Sequence, residues 1–442
     1  VAPFRARSLP ARGSARGSAR GSARGSAPGL GLGPIAILAI GVATLAADGE
    51  PFQGVRRGLP TIVVTNGEAA VGEAVVSVAL PAGLVGESFV VRGEDDSQAV
   101  LAQLMRDRTI AFTVRQLAPR EVRRLRLEPA LDRTVLGPIV ARERFDGVDL
   151  SIDRRPVAAY QTQPSVPLAG DVGPAVGRGG YLHPLRSPAG RVVTDDDVPG
   201  RPEQRGLWSA WGATRVDGRT ADFWHTGRGT GAVEFEGVLE TWSGPIEAGF
   251  RARHRAVDRT VRPPLTAATE TWDVRLPALG HVGPPHRVLD LTIRHEVVIA
   301  RPIVVAAAAY GGLGVRGPRA WAGGSGMAVA TSEGRTRRNA TRSRSRWVAM
   351  VGLVDGGNAG LAGLAILDHP DNVRHPQPLF VDGGQPFVSY AAMQSGPITL
   401  TMDRDLVLRY RIVTFDGFPD RAWLERLWQA YAHPPRAAFA AP

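Results

Sequence analysis

Leu289-Asp-Leu-Thr-Ile-Arg-His-Glu-Val297 alternates apolar and polar residues from end to end, with Leu289, Leu291, Ile293, His295 and Val297 on one side. A period of two belongs to a strand with one face buried, because successive side chains point to opposite faces of a sheet. The same pattern recurs at Thr269 to Leu276, where Trp272, Val274 and Leu276 oppose Thr271, Asp273 and Arg275. Leu406, Leu408, Tyr410 and Ile412 repeat it near the end. Upstream, Thr61 to Thr65, Ala74 to Leu80, Ser88 to Arg92, Thr109 to Arg115 and Arg124 to Glu128 are short β-rich runs bounded by Gly, Pro or Asp. Such spacing reads as a small sandwich or barrel. One helix is expected, from Arg421 to Ala432. Asp420 caps it, Trp423, Leu427, Trp428 and Tyr431 form its apolar stripe, and Pro434-Pro435 stops it. The expected fold is all-β: a small N-terminal β-sandwich or barrel domain, then a large antiparallel β-sandwich with one C-terminal helix.

The 442 residues contain no Cys, which removes disulfides, thiolate metal sites and cysteine nucleophiles. The 53 Gly and 35 Pro favour turns over long helices. The net charge of +11 rests on Arg alone, since the chain has no Lys. A binder of nucleic acid normally uses both cations, so the charge reflects Arg-rich usage and no nucleic-acid partner is expected. Arg12 to Ala27 repeats Arg-Gly-Ser-Ala four times, with nothing to bury. The apolar run Ile35 to Ala47 follows six Arg and ends in small residues. That layout predicts a signal peptide and export to the periplasm or beyond the cell, with the mature chain starting near Asp48. No later apolar stretch is long enough to span a membrane as a helix. The division expected is 1–47 as n-region and signal peptide, 48–160 as the small β-domain, 161–180 as a Pro/Gly-rich linker and 181–436 as the large sandwich.

Gly312-Leu-Gly314-Val-Arg-Gly317 matches the dinucleotide fingerprint in letters, but Pro318 follows instead of a helix, so no dipole awaits a pyrophosphate. No HExxH, Walker or nucleophile-elbow sequence occurs, and no histidine spacing marks a metal site. Arg335 to Arg346 holds six Arg in twelve residues, which reads either as a solvated loop or as a cradle for an acidic polymer such as a uronate-containing glycan. Glu270 and His295 fall on apolar strand faces, where a polar group must find a partner; lining a cleft, either would be a general acid or base. Loops rich in Asp, His and Arg beside aromatics stand out at Arg201 to Trp208, Asp222 to His225 and Leu367 to Pro376. Polar groups beside aromatic rings suit sugars, although Asp-His-Pro also serves plain turn chemistry.

These loops resemble those of the bacterial PmoA-like family. The likeness is carried by Gln204-Arg205-Gly206-Leu207-Trp208, Asp222-Phe223-Trp224, Tyr310 to Arg316, and Asp368 to Pro376, in that order, and covers roughly Gly179 to Gly417. Arg201 and Glu203 stand where the family has its first histidines. The resemblance implies a secreted β-protein of the galactose-mutarotase supersandwich type, with carbohydrate as ligand and no cofactor named. A methane monooxygenase subunit proper is a bundle of membrane helices, which this pattern cannot build.

On this reading Glu203, Asp368 and His369 are the acid/base candidates of a secreted carbohydrate-active protein. Arg205, Asp222, His225, Arg374 and His375 would bind substrate, and Trp208 and Trp224 would stack on the sugar ring. The loops around Arg205 and His369 are expected to face one another across one concave surface, with Arg205 reaching Asp368 or a bound acid. A non-catalytic carbohydrate-binding or surface protein is the alternative, and a structural or assembly partner the third possibility.

Overall fold

Alternation of the kind seen at Leu289–Val297 produces long strands wherever it is sustained, and the computed structural model of the chain is built almost wholly from them. It describes residues 60–81, 88–93, 99–130, 137–163, 178–196, 201, 203–323, 326–354 and 360–440. The expected leader at 1–47 and most of the expected linker lie outside those residues. Arg57–Pro442 forms one compact unit.

The first sheet takes β1 (Thr61–Thr65), β2 (Val71–Ala79), β3 (Phe89–Gly93), β4 (Val100–Leu104), β5 (Thr109–Leu117) and β6 (Val122–Pro129). Its spatial order is β2-β5-β4-β3-β6-β1, and a seventh strand from the end of the chain pairs with β1. Ile62, Val64, Val76, Phe89, Ile110 and Phe112 fill its core. The boundary of this region is expected near residue 160, but its N-terminal run of strands ends at Pro129. The next three strands, β7 (Ile139–Arg144), β8 (Gly147–Ile152) and β9 (Arg155–Gln161), hydrogen-bond into the second sheet.

That second sheet continues through β10 (Tyr181–Leu185) and β11 (Leu207–Ala210). The chain then leaves it for β12 (Ala213–Val216) and β13 (Arg219–Asp222), and enters the long antiparallel run β14 (Gly231–Trp242), β15 (Glu247–Asp258), β16 (Leu265–Pro277) and β17 (His286–Val297). After β18 (Ile303–Val305) it returns to the second sheet as β19 (Gly312–Arg316). Next come β20 (Met327–Thr331), β21 (Trp347–Val354) and β22 (Gly360–Asp368), then β23 (Leu379–Val381), β24 (Phe387–Tyr390), β25 (Ile398–Leu400) and β26 (Leu406–Asp416). The helix α1 (Arg421–Ala432) and β27 (Arg436–Phe439) close the chain. The second sheet runs β23-β24-β19-β11-β10-β9-β8-β7 and the third β14-β15-β16-β17-β26-β22-β21-β20; a small fourth one is β13-β12-β18-β25.

The two eight-stranded sheets share one core. Leu182, Leu207, Leu313 and Val315 from one meet Phe250, Trp272, Leu291 and Ile412 from the other. This is the antiparallel β-sandwich that the alternation predicts. The other face of β21, β22 and β26 is covered by α1, whose Trp423, Leu424 and Trp428 pack on Trp347, Leu367, Val413 and Phe415. Burial on both faces explains why Leu361 to Leu367 reads as a continuous apolar run. The helix has the bounds its caps predict: the Asp420 carboxylate accepts from the backbone N–H groups of Ala422 and Trp423.

One row of the sandwich interior is polar. His254 on β15, Glu270 on β16 and His295 on β17 lie side by side in register. Glu270 accepts from Arg178 Nη2 at 2.9 Å and from the Trp272 indole at 2.8 Å, and the Tyr160 hydroxyl reaches His254 Nε2 from the facing sheet. Burial pushes both imidazoles down to about 3, with Arg178 adding to it, and pushes the Glu270 carboxyl up. Glu270 is therefore a partnered core residue, His295 is a buried one whose Nδ1 lies 3.7 Å from Glu270 and whose ring packs on Trp211, and neither lines a cleft among the described residues.

Candidate functional site

Five neighbouring strands of the second sheet place a set of aromatics on the face turned away from the sandwich core. Leu182, Leu207, Leu313 and Val388 point inward, so Tyr181, Trp208 and Phe387 point the other way and form a cluster of their own. Trp208 stacks on Phe387 at 5.5 Å and packs on Trp224 at 5.0 Å. Tyr310 lies across Trp224 and Phe380, 5.4 Å from each. Gly314 makes this possible: a Cβ there would stand 3.0 Å from Phe387 and 3.4 Å from Trp208. Gly314 thus serves aromatic packing in a mid-sheet strand, which agrees with rejecting the dinucleotide reading.

Two polar centres flank the cluster. At one, Asp222 ends β13 and its Oδ1 accepts from the backbone N–H groups of Trp224 and His225, at 3.0 and 2.8 Å. Its Oδ2 accepts from Arg228 Nη1 at 2.8 Å and lies 3.0 Å from His225 Nδ1. The carboxylate assigns the Nδ1 proton, which leaves Nε2 to accept from the Tyr310 hydroxyl at 3.2 Å. The result is a line from a buried carboxylate through an imidazole to a half-buried phenol.

At the other centre Asp196 accepts from Arg205 Nη1 at 3.0 Å and from the Tyr181 hydroxyl at 2.7 Å. Arg205 lies over the Tyr181 ring and is only 3% exposed. Beside it Arg316 donates to the side-chain oxygens of Gln204 and Gln385, both at 2.9 Å. Arg319 pairs with Asp195 at 3.0 Å. Burial holds His183 below the ordinary histidine range, against the pull of Asp196 and Asp195, and it also lowers Arg316. Glu203 sits half-buried in the turn before Gln204, and Arg201 is exposed at its start.

Of the residues singled out in the sequence, Arg205, Trp208, Asp222, Trp224 and His225 thus meet on one face, with Glu203 at its margin. Two expectations for them need correction. Trp208 and Trp224 are 1% and 3% exposed, so they floor the cluster and offer no ring to a sugar; the half-buried rings are those of Tyr310 and Phe380. Arg205 reaches Asp196 instead of Asp368.

Asp368, His369, Arg374 and His375 do different work, under α1. The Asp368 carboxylate is fully buried and accepts from Asn372 Nδ2, His375 Nδ1 and the Gln377 N–H at 2.7, 2.8 and 2.9 Å. Its carbonyl accepts from the Trp428 indole, over which His375 stacks. His369 packs on Tyr431 and accepts from the Asp371 N–H. Arg374, with a left-handed φ of 66°, donates to the carbonyls of Ala392, Gly396 and Pro397. Apart from the Asn372 and His375 bonds to the Asp368 carboxylate, these bonds fix backbone. The loop runs straight into β23, which carries Phe380, so the motif braces the aromatic face from behind. No hydrogen bond, ion pair or ring contact among the described residues joins Asp368 or His369 to the Arg205 centre.

The structure adds Tyr310, His183, Asp195 and Asp196 to the residues that the sequence points to. The signal available was Asp195-Asp196-Asp197, a carboxylate run shortly before Arg205 that needs a cation. Among the described residues no three or more His, Asp or Glu could hold a metal ion together.

Residues 147–429, from β8 to α1 and so including both polar centres, match the Family of unknown function (DUF6807). The chain belongs to that family. No curated protein matches it. Among solved structures, an alpha-mannosidase from Enterococcus faecalis V583 is similar with a TM-score of 0.45 and 10% identity, over 88% of this chain and 46% of that one. The chain therefore spans less than half the length of that enzyme. The first sheet lies outside the DUF6807 match, which confines the family's common part to the sandwich and α1.

Proposed function

We propose that this DUF6807 member acts on a sugar or glycan by acid/base chemistry at the outer face of the second sheet, in an exported protein. The Asp222–His225–Tyr310 line is the observation that carries the reading. A phenol hydrogen-bonded to a neutral imidazole can pass its proton to Nε2 while the phenolate takes one from substrate. Asp222 then holds the imidazolium that forms, and the reverse transfer returns the proton to a leaving or re-forming oxygen. The half-buried rings of Tyr310 and Phe380 give an apolar patch for a sugar ring.

The test incubates the purified chain with plant and algal glycans and analyses products. Turnover that Tyr310→Phe and His225→Gln each abolish, with unfolding temperature held, supports the proposal; turnover untouched by Tyr310→Phe refutes it. A second reading, a carbohydrate-binding protein without turnover, is favoured by one observation. Asp196 and Asp222 are both ion-paired to Arg, so neither is a free carboxylate of the kind a glycosidase pair requires. Binding without product on any glycan would select it. Export is tested separately, by N-terminal sequencing of secreted material, where a start near Asp48 is expected and retained Arg-Gly-Ser-Ala repeats would refute it.

A further inference from the structure

The arginine-rich segment at 335–346 divides into members with different work. Arg337 donates to the carbonyls of Asp382, Gly323 and Gln385, and Arg346 pairs with Glu425 over Trp428. Arg344 donates to the carbonyls of Arg374 and Pro376 and to Ser395 Oγ. Arg342 has an exposed side chain and a left-handed φ of 65°, while its backbone N–H is held by the Leu379 carbonyl. Among the described residues neither Arg342 nor Arg344 has a carboxylate partner, nor has Arg374 behind them. Three positive charges thus gather with only neutral acceptors around them, and their field is not cancelled locally.

Arg342 and Arg344 line a cleft of about 430 Å³, whose other walls are Ala307 to Ala309, small residues that leave room at the backbone, with Pro378, Gln394 and Ser395. Both walls lead into the aromatic face. Ala309 is followed at once by Tyr310, and Pro378 stands two residues before Phe380. Gln394 ties the walls together by donating to the carbonyls of Ala309 and Leu379, at 2.6 and 3.0 Å. Consecutive Cα atoms lie about 3.8 Å apart, so the Ala309 edge of the cleft adjoins Tyr310 along the chain.

We propose that this cleft is a carboxylate subsite, and that the substrate class of the site is an acidic, uronate-bearing glycan. The inference rests on the proposed sugar chemistry at Tyr310 and adds the charge that selects the substrate. Arg342 supplies a planar fork for the carboxylate, and Arg344, its donors engaged by two backbone carbonyls and Ser395, supplies fixed positive potential.

The probes are a trimer of galacturonate and the same trimer with its carboxyls methyl-esterified, titrated calorimetrically into the full chain at physiological salt. The acid form binds more tightly, and raised salt weakens it while leaving the ester unchanged. Arg342→Ala lowers affinity for the acid by about tenfold or more and leaves the ester within twofold, as expected for losing a charged hydrogen bond. Arg342→Lys restores only part of the loss. Arg342 is exposed and among the described residues its side chain holds no hydrogen bond or ion pair, so both variants are expected to fold. Equal binding of acid and ester, no binding of either, or an unchanged affinity in Arg342→Ala each overturns the proposal. Tyr310→Phe separates it from the reading on which it rests: binding of the acid persists there. An acid-selective protein that turns over no glycan would refute the chemistry and keep the subsite, whereas turnover confined to neutral glycans would do the opposite.

Discussion

Lowering the pH from 7 to 5 tests the polar row inside the sandwich. His254 and His295 are 0% and 5% exposed, and burial, with Arg178 nearby, holds both near 3. In the unfolded chain each titrates near 6.5. Below that value the unfolded state takes up two protons that the folded state refuses until about pH 3. Stability present above 6.5 is therefore lost as the pH falls through this window. Linkage gives each histidine about 0.2 kcal/mol of cost at pH 7 and about 2 at pH 5, so the pair removes roughly 4 kcal/mol between them. Glu270 works against this, because a raised carboxyl pKa favours the folded state as acid is added, and the net loss falls below that figure. The assay is urea unfolding followed by tryptophan fluorescence at pH 7, 6 and 5, for the natural chain and for His295→Gln. The natural chain should lose midpoint steadily with acid. The variant starts lower, having lost the packing of His295 on Trp211, but falls about half as steeply. Equal midpoints at pH 7 and 5, or an unchanged slope in the variant, would refute the assignment of neutral, buried imidazoles.

Gly314→Ala puts a methyl group 3.0 Å from Phe387 and should cost about 1–3 kcal/mol in urea unfolding, with near-ultraviolet dichroism of the Trp208 cluster altered. Asp368→Asn keeps the shape but turns one acceptor toward the His375 and Gln377 donors into a donor; a loss of about 2–4 kcal/mol is expected, with any glycan binding surviving at permissive temperature. Asp420→Ala removes the α1 cap and should lower stability by about 1 kcal/mol, measured by the same unfolding curve.

What the sequence made legible was local. The strands at Thr269–Leu276 and Leu289–Val297 could be read because one apolar face imposes a period of two, and α1 because Asp420 and Pro434-Pro435 punctuate it. The pairing of sheets was hidden, since β7 to β9 carry the same kind of alternation whichever sheet they join. The site was half legible. Arg205, Asp222 and His225 are rich in chemistry and do converge, but their residue types also describe the Asp368 loop, where carboxylate and imidazole are spent on each other and on the loop's own groups, and guanidinium on backbone. Only the partners separate the two cases: Asp222 hands a histidine on to a half-exposed phenol, whereas Asp368 hands its histidine to a buried indole. Composition alone does not show which neighbour a loop will meet.

The strand that completes the first sheet is β27, paired to β1 through Ile62–Phe439 and Thr65–Arg436. Translation runs from one end, so β1 leaves the ribosome long before its partner exists. At ~5–20 residues per second the wait is roughly twenty seconds to over a minute. For that time one side of β1 is a bare row of N–H and C=O groups, open to the strands of other nascent chains. A ribosome stalled late in the message, or a protease that trims the tail, would leave the same edge exposed permanently. The first sheet is therefore sealed only once synthesis has passed Phe439, which makes β27 a mark of how far the chain has been made.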